Sequence, residues 1–403
     1  MDAPSQASGS TSAARRASAP GLSRNALRAW VLIHKWTSLV CTAFLLMLCL
    51  TGLPLIFHEE LEDLTGHRAP LETVAPGTVP PTLDAVVDGV LAQRPGEVAQ
   101  SLLFEPDLPV VIVATAPRVD ASPREAHMQP VDLRTGKLAP PPPQREGFIW
   151  FVRELHVRMF LGLPGTLCLG AMGLLFLAAT VSGVVIYAPF MRKLTFGAVR
   201  VGQSRRLVWL DLHNLLGIAT AGWLLVVGVT GVFNSLDEPL AHQWRNGQLA
   251  EMRAPYADAS PLARLGSLDA AVATARRASP DMEPSVIAYP GSFFATPHHY
   301  NVFMRGASPV TERVLKPCMV DAETAVLTDT RDMPLHFRAL FLARPLHFGD
   351  YGGLLLKVVW ALLDIVAIIV LVSGLHLWGA RARIPAAVRA NDLVRGQDGE
   401  GAR

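Results

Sequence analysis

Four long apolar runs punctuate the chain, at about 31–57, 163–187, 212–236 and 352–378. Each is long enough to span a bilayer core as a helix, which takes about 20 residues at ~1.5 Å each. The runs recur as two matched pairs. His34 opens the first, which closes on Thr51-Gly52, and His213 opens the third, which closes on Thr230-Gly231, both at a spacing of 17 positions. Leu155-His156 precedes the second run, which ends Val181-Ser182-Gly183. Leu346-His347 precedes the fourth, which ends Val372-Ser373-Gly374, and the His-to-Ser spacing is 26 both times. The pattern predicts one unit of helix, polar segment and helix, written twice, with four histidines at equivalent places.

The polar segments between paired runs repeat as well. Thr82-Leu83-Asp84-Ala85 and Ser267-Leu268-Asp269-Ala270 each open a helical stretch behind a Thr or Ser N-cap. Strand-like stretches follow at 109–114 and 300–304. Each segment then reaches an Asp-x-x-Thr turn, at Asp132–Thr135 and Asp321–Thr324. A stiff proline run at 140–143 leads back to the membrane. The expected fold class is an α-helical membrane protein of four transmembrane helices in two parallel repeats, with two small α+β outer domains. The boundaries read as a disordered tail (1–25), helix (26–58), first outer domain (59–155), helix (156–189), short loop (190–210), helix (211–236), second outer domain (237–346), helix (347–379) and tail (380–403).

Half of the residues are apolar and 17% are charged, as a membrane protein with sizeable water-facing parts requires. Basic residues fix the expected orientation. Arg15, Arg16, Arg24 and Arg28 precede the first run; Arg192, Lys193, Arg200, Arg205 and Arg206 fill the short loop; Arg381, Arg383 and Arg389 follow the fourth run. Both termini and the short loop are expected in the cytoplasm, and the two long segments outside an inner membrane. The first run is too long for a cleaved signal and reads as an anchor. A net charge of +2 gives no footing for nucleic acid. The four cysteines (Cys41, Cys49, Cys168, Cys318) form no CxxC or CxxCH, which argues against covalent c-type haem, zinc knuckles and dithiol chemistry.

Equivalent imidazoles at one depth are what axial ligation of haem iron needs, and a bis-imidazole pair leaves no open position for oxygen. Neutral imidazole also adds no charge to a low-dielectric site. Under a two-fold axis along the membrane normal, His34 faces His213 for an inner b-type haem and His156 faces His347 for an outer one. His376, with no counterpart, is a further candidate ligand or a partner for a haem propionate. From His347 to His376 is ~43 Å if wholly helical. That spread puts His156 and His347 at or beyond the outer surface, with helix breaks at Pro164-Gly165 and Gly352-Gly353. His58, His298, His299 and His336 read as interfacial or surface residues. Asp364 is an intramembrane carboxylate, which protonates or hydrogen-bonds a neighbouring helix. The Thr-Gly and Ser-Gly pairs let helices, or a flat porphyrin, approach closely. Aromatic and cationic residues outside (Phe148, Trp150, Phe151, Arg153, Trp244, Arg245, Tyr300, Arg305, Arg338, Arg344) offer either a ligand surface or headgroup anchors.

His34-Lys35-Trp36, Thr51-Gly52-Leu53, Leu346-His347-Phe348-Gly349-Asp350 and Val372-Ser373-Gly374 resemble the PepSY-associated transmembrane helix family, in order and twice, over about residues 28–382. The resemblance implies PepSY-type outer modules, b-type haem on helix histidines, and kinship with ferric-siderophore reductases and other iron-regulated inner-membrane proteins. Electrons would then enter from a quinol or a cytoplasmic reductase, since no GxGxxG follows a predicted strand. They would leave to a periplasmic acceptor such as a ferric siderophore. A different reading is a membrane module without haem, anchoring or transporting; it predicts a colourless protein. A third, a metal site without porphyrin, lacks paired carboxylates or thiolates beside the histidines.

Overall fold

The structure, a computed structural model, describes residues 23–64, 71, 73–106, 108–141, 145–191, 197–308 and 311–382, without the side chains of 189–191 and 380–382. Arg15, Arg16, Arg192, Lys193, Arg383 and Arg389, most of the 1–25 tail and part of the proline run lie outside these residues.

Four of the described helices are long and apolar enough to cross a membrane. They are α1 (Arg24–Ile56), α5 (Leu163–Met191), α6 (Arg205–Ser235) and α11 (Gly353–Ala382). Apolar side chains lie on every side of them, as lipid contact requires. The four close into a ring: α1 packs on α5 and α11, and α6 packs on the same two.

The segment after α1 holds α2 (His58–Leu64), α3 (Leu83–Leu91), β1 (Val98–Phe104), β2 (Val110–Ala116), β3 (His127–Asp132) and α4 (Gly147–Arg158). The segment after α6 holds α7 (Asp237–Trp244), a π-turn (Arg245–Leu249), α8 (Ala250–Arg253), α9 (Leu268–Ala278), β4 (Met282–Ala288), β5 (His299–Gly306), β6 (Leu315–Asp321), β7 (Leu327–Thr330) and α10 (Leu335–Phe348). The two segments do not make separate domains. Their strands form one antiparallel sheet in the order β3-β2-β1-β4-β5-β6-β7, joined where Ser101, Leu102 and Leu103 of β1 pair with Ala288, Ile287 and Val286 of β4. The physical reason is edge strands: β1 and β4 would each expose a row of unpaired backbone groups, and pairing them satisfies both.

α3 and α9 cover one face over a core of Leu102, Val113, Ile287, Tyr300, Val302 and Met304. Their N-termini cap each other. Thr82 and Ser267 accept from Ala85 and Ala270 as N-caps. Asp269 also accepts from the Leu83 amide at 2.9 Å, and Asp84 from the Leu268 amide at 2.8 Å. The opposite face packs on Trp244, Leu249, Met252, Phe337 and Leu340 from α7, the π-turn, α8 and α10. Helix α10 thus belongs to the sheet core at one end and to the membrane helices at the other.

Candidate functional site

His34 on α1 faces His213 on α6, with ring centroids 6.5 Å apart and planes at 70°. His156 on α4 faces His347 on α10, at 6.4 Å and 67°. The four histidines therefore come together in two pairs, one near the far end of the helix ring and one near the sheet. No group of three or more His, Cys, Asp or Glu side chains placed to hold a metal occurs among the described residues, so the imidazoles stand in twos.

Each ring rests on a hydroxyl-glycine seat supplied by a neighbouring helix of its own half. The His34 Nδ1 lies 2.8 Å from the Ala179 carbonyl and 3.4 Å from Ser182 Oγ on α5. His213 meets the Val370 carbonyl at 3.0 Å and Ser373 Oγ at 2.9 Å on α11. His156 meets Thr51 Oγ1 at 2.8 Å on α1, and His347 meets Thr230 Oγ1 at 3.2 Å and the Val227 carbonyl at 3.1 Å on α6. All four hydroxyls are buried, and each spends its one proton on a carbonyl of its own helix. Toward the ring they can only accept. Nδ1 therefore carries the proton in every ring, and the Nε2 lone pair is left bare for a ligand.

The glycine after each hydroxyl makes room for the ring. A Cβ at Gly183 or Gly231 would stand 3.1 Å from the Cε1 of His34 or His347; at Gly374 it would be 3.3 Å from His213, and at Gly52, 3.5 Å from His156. The sequence marked these four dipeptides as helix-packing or porphyrin-facing; they are imidazole seats. Thr51, Ser182, Thr230 and Ser373 are the site residues that sequence reasoning did not assign. Their signal was the doubled spacing of 17 and 26.

Between the four helices, around His34 and His213, lies a cavity of ≈ 450 Å³. Its walls are mostly apolar, with Lys35, Arg206, Tyr187 and Asn214 as polar points, a composition usual for small-molecule pockets.

Two expectations change. His156 and His347 do not lie on continuations of the spans α5 and α11 but on the separate helices α4 and α10. The chain turns at Met159 and Phe160, both with positive φ, and at Gly349 and Gly353, so α4 and α10 fold back beside α1 and α6. His156 consequently reaches the level of Thr51, a rise of about 25 Å along α1 from His34. His376 joins neither pair; it lies exposed on α11 with its ring 5.5 Å from Trp209.

The outer aromatic and cationic residues do not form one surface. Tyr300 is in the core under α3 and α9, Trp244 is in the core on the other face, and Arg344 pairs with Asp237 at 2.6 Å. Nor is His299 a surface residue. It is fully buried against Tyr256, its Nδ1 2.6 Å from Thr296 Oγ1, and burial pushes it down to about 4. His58 is tied to the Leu55 carbonyl.

The chain resembles an uncharacterized protein of Pseudomonas aeruginosa, with 26% identity over 261 residues; the match covers 60% of this chain and 66% of that protein. A family model described as the PepSY-associated TM region matches residues 31–381, which takes in all four spans, the sheet and both imidazole pairs. The chain belongs to the PepSY-associated transmembrane region family.

Proposed function

We propose that the protein is a b-type haem oxidoreductase of a bacterial inner membrane, holding one haem between His34 and His213 and a second between His156 and His347. The observation that carries the reading is the spacing of the rings. An imidazole nitrogen binds a metal at about 2.0–2.1 Å, which places the centroids of two rings trans on one metal about 6.3–6.5 Å apart. The two pairs stand at 6.5 and 6.4 Å. The tautomer fits as well, since hydrogen-bonded Nδ1 groups orient ligating imidazoles and raise their basicity.

Bound haem, held by these histidines, would supply one-electron transfer. The chain's own residues do the rest. The seats hold each ring by its Nδ1, the apolar cavity walls keep the pocket low in polarity, and Lys35 and Arg206 offer cations for carboxylate groups at the pocket. In this reading the sheet faces the periplasm and both termini face the cytoplasm. A quinol or a cytoplasmic reductase gives electrons at the His34–His213 end. A periplasmic acceptor takes them at the other end, and by family resemblance we assign an Fe(III)-siderophore, which releases Fe(II) on reduction.

The test is an absorption spectrum of detergent-purified full-length protein, oxidised and reduced. Two bis-imidazole b-type signals are expected, with His34→Ala and His213→Ala abolishing one and His156→Ala and His347→Ala the other. A colourless protein from haem-replete cells overturns the reading in favour of a membrane anchoring module.

A further inference from the structure

The two seams that join the halves of the helix ring differ in chemistry. Matching His34 with His213 and His156 with His347 sets Asp364 against Gly173, and Cys49 against Gly228. On the α5–α6 seam the glycines close the gap: a Cβ would come 2.9 Å from Val232 at Gly173 and 2.8 Å from Leu177 at Gly228. On the α1–α11 seam the same two places hold a carboxyl and a thiol. The Cys49 side chain lies beside the Asp364 carboxyl. Asp364 is 7% exposed, and its Oδ2 has no hydrogen-bond partner among the described residues. Leaving a carboxylate oxygen unpaired inside a membrane is costly, and such residues usually serve ion or proton transfer.

Two helical turns toward the sheet, about 10 Å along α11, the buried Lys357 ammonium reaches Glu59 at 2.8 Å and Glu60 at 3.0 Å on α2. Those two glutamates are partly exposed and open to the sheet side. Of the other long helices, α6 has no ionisable residue between His213 and Ser235 and α5 has none between Cys168 and Tyr187, while α4 and α10 carry the His156 and His347 imidazoles. Cys49 lies two residues from Thr51, the seat of His156, so Asp364 is level with the His156–His347 pair.

We propose that Asp364 is a proton-binding site inside the membrane, loaded from the sheet side through Glu59, Glu60 and Lys357, and that its proton balances charge gained at the His156–His347 pair. One proton moves from water to the Asp364 carboxylate, forming an O–H bond and a neutral acid, and returns by the same route when the charge departs. The charge-balancing part rests on the proposed function; the proton site itself does not.

The experiment is infrared spectroscopy of the full chain in lipid nanodiscs, in H2O and D2O, from about pH 4 to about pH 9. The expected result is a protonated-carboxyl carbonyl band that titrates, shifts in D2O and is lost in Asp364→Asn. Cys49→Ala should move its frequency by changing the surroundings of the carboxyl, and Lys357→Met should slow its exchange with D2O several-fold. Identical spectra for the native chain and Asp364→Asn overturn the site, as does a band that neither titrates nor exchanges. In the haem-loaded protein the midpoint of the sheet-side signal should move with pH, and stop moving in Asp364→Asn. A titrating band with a pH-independent midpoint overturns the charge balancing, whereas a titrating band in a colourless protein overturns the haem reading and leaves the proton site standing.

Discussion

At the scale of single residues, the seats make graded expectations possible. Gly183→Ala and Gly231→Ala put a methyl 3.1 Å from an imidazole carbon and should displace the ring, whereas Gly52→Ala, at 3.5 Å, makes ordinary contact. Haem content of purified variants should therefore fall for the first two and stay near native for the third. Thr51→Val keeps the shape of the seat but removes the acceptor of the His156 N–H. Loss of such a supporting bond should weaken cofactor affinity about 10–100-fold, measured by haem titration. His299 gives a pH prediction away from the membrane. Burial lowers it to about 4, against about 6.5 when unfolded. The unfolded chain thus binds the extra proton first, and stability is full above about pH 6.5 and declines as pH falls toward 4. Denaturant melts of the full chain in detergent should show that decline, and His299→Leu should flatten it. The imidazole pairs were legible in the sequence because duplication marks equivalent positions. The seats were not, because a hydroxyl beside a glycine in an apolar helix reads equally well as packing.

At the scale of elements, local signals gave the four spans, the helices α3 and α9 and the strands β2 and β5, but not the helices α4 and α10 or the pairing of β1 with β4. That contact joins residues far apart in the chain, and no periodicity within either segment encodes it. The sequence signals for the breaks, Pro164-Gly165 and Gly352-Gly353, lie beside the actual turns at Met159–Phe160 and Gly349–Gly353, and what the turns do was not legible. They fold α4 and α10 back against α1 and α6 instead of letting them project into water. Gly165 shows how tight the first turn is, since a Cβ there would overlap the Arg158 carbonyl. Gly165→Ala should therefore move α4 and deplete the sheet-side haem signal selectively, leaving the His34–His213 signal in place. Helix α10 gives the sheet a mechanical link to that same pair. Phe337 and Leu340 sit in the sheet core, and His347 lies on the same helix. Binding of an acceptor that shifted the sheet would be felt at the ligand.

At the scale of the whole molecule, the reading fixes an orientation that labelling can check. A cysteine introduced at exposed Ser308, beside the sheet, should react with a membrane-impermeant maleimide added to intact spheroplasts. Residues near either terminus should react only after lysis. Cys41 and Cys318 are buried, and the partly exposed Cys49 and Cys168 lie on membrane helices, so labelling of the native chain sets the background. The seating of every ring within its own half has a further consequence for how the protein is put together. The first half of the chain carries His34 and His156 with both of their rests, and the second half carries His213 and His347 with theirs. Each half thus holds its two imidazoles by itself, and only docking of the two halves brings the rings face to face at either level. Severed in the loop between α5 and α6 and produced as two polypeptides, the halves should regain colour on meeting and stay pale apart.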